Sequence, residues 1–198
     1  MNIKILVIIV LFASSVESLA QAQTDGFWGI PFLTTQEKAI QLIEANKHLK
    51  PTMNERGSLA YMQADFAGEE AAIISILFYG NRMYNGLAAF RQRSFALILQ
   101  RYEEWKSKLS QKYGTPKLNE YWPQYAENDD SYMLKEAAIQ DGEAKMSSAW
   151  RTTDERTNNP VSIVLFITSN GELVLSFTDI NINAEAEREI EKEAQKDY

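Results

Sequence analysis

The apolar and polar positions along this chain mark out strands and helices. Two stretches share one plan. Ala71 to Phe90 reads as two apolar runs meeting at Gly80-Asn81, and Val161 to Phe177 repeats this around Asn170-Gly171. Each predicts a β-hairpin with a Gly/Asn turn. Ser75-Ile76-Leu77-Phe78 and Ser162-Ile163-Val164-Leu165-Phe166 hold matching places, which predicts a duplicated unit within one shared sheet. From Ser58 to Phe66, alternation sets Ala60, Met62, Ala64 and Phe66 on one face and Leu59, Tyr61, Gln63 and Asp65 on the other. The even-numbered set is wholly apolar and is expected to face the helices.

Helical spacing is equally legible. Thr34-Thr35-Gln36-Glu37 fits a capping box and opens a helix with Ala39, Ile40 and Ile43 on one side. It should end near Lys47, since Pro51 follows and Lys47, His48 and Lys50 suit a helix C-terminus. Ser94 can cap a longer helix to about Tyr113, with Phe95, Ile98, Tyr102, Trp105, Leu109 and Tyr113 along one stripe. Gly114 and Pro116 stop it. Lys117 to Asp130 reads as a long irregular connection, followed by a short helix capped by Asp129 or Asp130 with Met133, Leu134, Ala137 and Ala138 inward. Ala144 to Arg151 is a strand with Met146, Ser148 and Trp150 on one face. Upstream, Gly26-Phe27-Trp28-Gly29-Ile30-Pro31-Phe32 predicts an aromatic strap pinned onto the core.

The order predicts an α+β fold: a six-stranded antiparallel sheet from two α-β-β-β units, about 34–91 and 94–180, with helices on one face. One domain would span 23–180. Residues 181–198 read as a charged, helical, solvated tail, with Ile190 the large apolar residue between Ala184 and Asp197.

The first residues change the picture of location. Lys4 precedes an apolar run from Ile5 to Ala13, and Ala20-Gln21-Ala22 has the A-x-A form, so residues 1–22 read as a secretory signal peptide. A spanning helix would need roughly 20 apolar residues, and Ser14, Ser15 and Glu17 interrupt this run early. The chain has no cysteine. That excludes disulfides, thiolate chemistry and a lipid-bearing cysteine, and it suits a bacterial periplasmic or secreted protein. The net charge of −7 disfavours nucleic acid and anionic membrane surfaces.

Candidate chemistry is sparse. His48 is the single histidine and sits between lysines at a helix end, too little for a zinc site or a nucleophile–base pair. Glu69-Glu70, Glu103-Glu104 and Asp129-Asp130 are adjacent carboxylates, which point apart on regular elements. Glu127, Asn128, Asp129 and Asp130 lack the spacing and glycine of an EF-hand loop. No catalytic residue, metal ligand or cofactor is expected.

Trp28-Gly29-Ile30-Pro31-Phe32, Tyr113-Gly114-Thr115-Pro116 and Trp150 give the chain a resemblance to a loose group of small exported bacterial proteins. Members begin with a WG-x-x-F segment and carry YG-x-P after a long helix. The resemblance spans most of the mature chain and brings no activity with it. The tandem layout also resembles β-lactamase-inhibitor-like proteins, which bind partners on the concave face of such a sheet, an analogy of fold alone. The expectation is therefore a non-catalytic exported envelope protein that binds a protein or peptide on an open sheet face, through Tyr61, Gln63, Ser75, Leu77 and Tyr79. The rival expectation is a small exported hydrolase using carboxylates.

Overall fold

Helix boundaries follow capping chemistry. The helix α1 (Gln36–Lys47) starts at Thr35, whose hydroxyl accepts from the Lys38 amide at 3.3 Å, and closes at His48 with φ 56°. The long helix α2 (Phe95–Tyr113) starts at Ser94, which accepts from the Leu97 amide at 3.4 Å, and stops at Gly114. These assignments come from a computed structural model that describes residues 22–130 and 132–194. Residues 1–21 of the expected signal peptide and 195–198 of the expected tail lie outside the described residues.

Eight strands form one antiparallel sheet, two more than expected. They are β1 (Met53–Glu55), β2 (Ser58–Phe66), β3 (Glu69–Tyr79), β4 (Arg82–Phe90), β5 (Lys117–Tyr121), β6 (Lys145–Thr153), β7 (Pro160–Ile167) and β8 (Leu173–Asp179). The added strands β1 and β5 are exposed along their whole length, so neither has a buried period to read. Part of the expected irregular connection is thus β5, and the short helices α3 (Gln124–Glu127) and α4 (Met133–Gln140) follow it. The strand order β1-β2-β3-β4-β8-β7-β6-β5 makes two four-stranded meanders that meet where β4 pairs with β8.

The inner face carries Ile74 and Ile76 on β3, Ala88 on β4, Leu175 and Phe177 on β8, and Ile163 and Leu165 on β7, all buried. The stripe of α2 packs here. Trp105 meets Phe66 and Phe90 at 6.0 and 5.8 Å, and Tyr113 meets Phe177 at 6.4 Å. The Trp150 indole donates to the Gly114 carbonyl at 2.9 Å, tying β6 to the helix end. Along α4 the inward residues are Ala138 and Ile139. The expected inward Met133 and Leu134 are 73% and 45% exposed.

The aromatic strap lies on this same face. Thr24 pairs with the Asp154 region, and Leu33 and Thr34 exchange backbone bonds with Met83. Between these anchors Phe27 sits over Gly86, where a Cβ would lie 2.1 Å from the ring. A hydrogen at that position makes the seat.

The last helix, α5 (Ile180–Ala194), corrects the expectation of helices on one face. Asp179, fully buried, caps it by accepting from the Asn181 and Ile182 amides at 3.0 and 3.1 Å. It lies against β3, β4, β7 and β8. Its Glu189 takes a hydrogen bond from Tyr79 and its Glu185 pairs with Arg82 at 2.7 Å. Tyr79 and Arg82 are register partners, and Tyr79 alternates with the core residue Phe78, so α5 rests on the outer face. Its buried residues, Ile182 and Ala186, stand apart from the main core, as do Ala60, Ala89 and Val174 of the outer face. The expected solvated tail is, in its first half, a packed helix with Ile182 and Ala186 buried.

Candidate functional site

Two elements of sequence decide which side chains reach the outer face. The first is Gln63, which takes a left-handed φ of 51° inside β2. Buried positions run Leu59 and Tyr61 before it, then Ala64 and Phe66 after it, a shift of one. Opposite, β3 shifts in step, from Ala71 to Ile74, Ile76 and Phe78, so the pairing register holds while both strands exchange faces. The even-numbered set is therefore split: Ala64 and Phe66 are in the core, whereas Met62 is 51% exposed. The second is a bulge at Leu77/Phe78, which brings Tyr84 into β4 as an extra residue.

Tyr61 is the main correction. It is 1% exposed and lies on the inner face, edge-on to Trp28 at 5.2 Å. Its hydroxyl has no partner among the described residues, and burial, with Glu44 nearby, pushes its pKa up to about 12. Trp28 itself is fixed by donation to the Asp65 carbonyl at 2.8 Å and by Lys47 at 4.9 Å over its ring. The strap thus covers Tyr61, while the opposite face stays open. Gln63 is exposed at the kink. Ser75, Leu77 and Tyr79 do share the outer face, but Tyr79 is engaged by α5, and that hydrogen bond to Glu189 raises its pKa.

The pairing registers set out the residues of the outer face, of which Ala60, Ala89 and Val174 are buried. One row crosses the sheet as Met62, Ile73, Ala89, Val174, Phe166, Ser147 and Asn119. The next runs Ala60, Ser75, Leu87, Ser176, Val164, Ala149 and Lys117. A third, starting at Leu77, passes Asn85, whose amide bonds Ser176 and Thr178 at 3.0 and 2.7 Å, and runs on beside α5. Ile73, Leu87, Val164 and Phe166 are only partly buried. A pocket of about 410 Å³ opens where β5, β6 and β7 end, between Phe166, Val164, Ser147, Asn119, Lys145 and Ile139. Neither α1 nor α2 packs on this side. Alternation places Ser75 and Leu77 on the outer face but not the full rows, because on β7 the outer Val164 and Phe166 are as apolar as the inner set.

Polar clusters elsewhere tie elements together. Tyr102, fully buried, donates to Glu120 at 2.9 Å and shares a 2.7 Å bond with Ser148, also fully buried. Lys106 joins Glu103 and Glu120 at 2.8 and 2.9 Å. Burial opposes the lysine's charge, but these carboxylates outweigh it and raise its pKa. The network fastens β5 to α2. Of the adjacent carboxylates, Glu69 meets Arg101 and Lys108 at 3.4 and 3.5 Å, and Asp129 accepts from the Leu134 amide at 2.7 Å in α4. No group of three or more potential metal ligands occurs among the described residues. No described helix is long and apolar enough to cross a membrane. No protein-family model, curated protein or solved structure matches the chain.

Proposed function

We infer that this is a non-catalytic binding module of the bacterial envelope, exported by its N-terminal segment, which holds a partner protein on the outer face of the sheet. One observation carries the reading. The inner face is covered by α1, α2 and the strap, while α5 covers one end of the outer face and leaves Ile73, Leu87, Val164 and Phe166 partly exposed, the last two lining a pocket of about 410 Å³. An apolar surface with a polar margin and a concave end suits a protein ridge. Lys117 and Lys145 on its β5 side, in a chain of net charge −7, favour a ridge flanked by carboxylates. Tyr61 has no part in it; Ser75, Leu77 and the exposed Gln63 remain at its β2–β3 end. The same reading takes the two meanders as copies of one unit, which the mirrored strand order supports.

A photoreactive residue at Val164, compared with one at Lys108 on the solvent side of α2, tests the reading in envelope-bearing cells. The expected result is one discrete crosslinked product from position 164, lost on Leu87→Glu, and none from position 108. Equal products from both positions, or a product at 164 that survives Leu87→Glu, would overturn it.

A further inference from the structure

The sheet has two edges, and they are finished differently. β1 is three residues long, and the Gln36 side chain braces its turn into β2, donating to the Glu55 carbonyl at 2.7 Å and accepting from the Gly57 amide at 3.1 Å. β5 runs five residues, all exposed, with no strand beyond it in the sheet order. Its pairing with β6 shows no register shift, and it contains no proline. Such an edge leaves alternate amides and carbonyls turned outward, free to receive another strand.

The side chains of β5 sharpen the choice of occupant. Glu120, its one carboxylate, is turned back into the Lys106 and Tyr102 network. Leu118, 51% exposed, remains on the inner side of the margin, and Lys117, Asn119 and Tyr121 remain on the outer side. Lys145 is the register partner of Tyr121 and is also exposed. Two cations therefore flank the outer side of this edge, Lys117 on β5 and Lys145 one strand inward on β6, about 14 Å apart along the strand direction at roughly 3.4 Å per residue. A second copy of this chain would set its own Lys117 and Lys145 against them, and like charges across an interface oppose pairing. A strand bearing carboxylates would meet opposite charge at Lys117 and at Lys145, the latter with the exposed Glu143 two residues away.

We propose that an extended acidic segment of the partner pairs with the outer edge of β5 as a ninth strand, its carboxylates near Lys117 and Lys145 and an apolar side chain against Leu118. This rests on the outer face being the docking surface, since the added strand would extend that face. Main-chain bonds would supply affinity and the alternating side chains selectivity.

The probe is a fluorescent heptapeptide in which acidic residues alternate with valine, titrated into the purified protein and followed by anisotropy. Saturable one-to-one binding is expected, weakened about tenfold or more by the pair Lys117→Glu and Lys145→Glu. N-methylation of alternate peptide residues should abolish binding in one phase and spare it in the other, because only one set of amides faces β5. Absence of saturable binding, equal binding of a peptide with lysine in place of the acids, or equal behaviour of both methylated phases overturns the proposal. So does a sedimenting dimer that dissociates on Leu118→Lys, which would assign the edge to a second copy. The Val164 crosslink reads the sheet face separately: a chain that crosslinks there but ignores the peptide loses only the ninth strand.

Discussion

Replacing Gly86 with alanine tests the seat beneath the strap. The new Cβ would lie 2.1 Å from Phe27 Cδ1 and 2.3 Å from Cγ. Carbon atoms in contact sit about 3.5–4.0 Å apart, so the ring must retreat by about 1.5 Å. It has little room, with Phe66 at 5.2 Å and Phe177 at 5.7 Å between ring centroids. Overpacking a filled core costs about 1–3 kcal/mol, and this tight site belongs at the upper end. Phe27→Ala alone removes a side chain only 2% exposed and should cost about 3–5 kcal/mol. Were the two effects independent, the double variant would lose about 6–8 kcal/mol. With Phe27 gone, however, the methyl added at position 86 enters vacated space, so the double variant should lose about 4 kcal/mol, a coupling of about 2 kcal/mol or more. Urea unfolding of the four proteins measures the cycle, and Gly86→Ala should lower Tm by about 6–12 °C. A Gly86→Ala protein within about 0.5 kcal/mol of the parent, or costs that simply add, would refute the seating of the strap.

Two further substitutions probe the inner face and the kink. Tyr61→Phe keeps the ring against Trp28 and deletes a buried hydroxyl without a partner, so stability at neutral pH should be unchanged or rise by up to about 1 kcal/mol. Because the folded pKa of Tyr61, about 12, exceeds its ordinary 10.0, its contribution is complete below pH 10 and is lost as pH climbs through 12. The parent should therefore lose about 3 kcal/mol more than the phenylalanine variant across that window, read by urea unfolding at each pH; parallel curves would count against burial of the hydroxyl. At Gln63, glycine relieves the left-handed backbone and should stabilise by about 0.5–1 kcal/mol, whereas valine should destabilise by more than about 1 kcal/mol. Thermal melts showing the reverse order would remove the kink.

Legibility tracks burial. Where residues alternate between core and solvent, as in α2 or along Met146, Ser148 and Trp150, spacing is enough. β1 and β5 are invisible because every residue in them is exposed, and a strand without a buried face leaves no period in its side chains. Tyr61 falls on the wrong face because period-two counting assumes an unbroken pleat, and Gln63 breaks it without any glycine to announce the change. The packed half of α5 is hidden for another reason: among the described side chains its buried face uses Ile182 and Ala186, too short a stripe to stand out among the charges. The outer-face rows emerge only with the register, since they combine residues from strands far apart in the chain.

The seam between β4 and β8 bears on the order in which the protein can be made. It brings Asn85 beside Thr178, 93 residues later, and β8 is the last strand of the sheet in chain order. Until that strand is available, the first meander ends in an open β4, with the apolar stretch Leu87–Phe90 on an unsatisfied edge. Closing so long a loop must precede the contacts that reward it, which makes completion slow relative to local helix formation. A chain truncated before Leu173 would keep three of its first four strands well paired and still present a sticky margin, prone to joining another unfinished molecule. Delivery of the whole polypeptide before folding begins would spare it that interval.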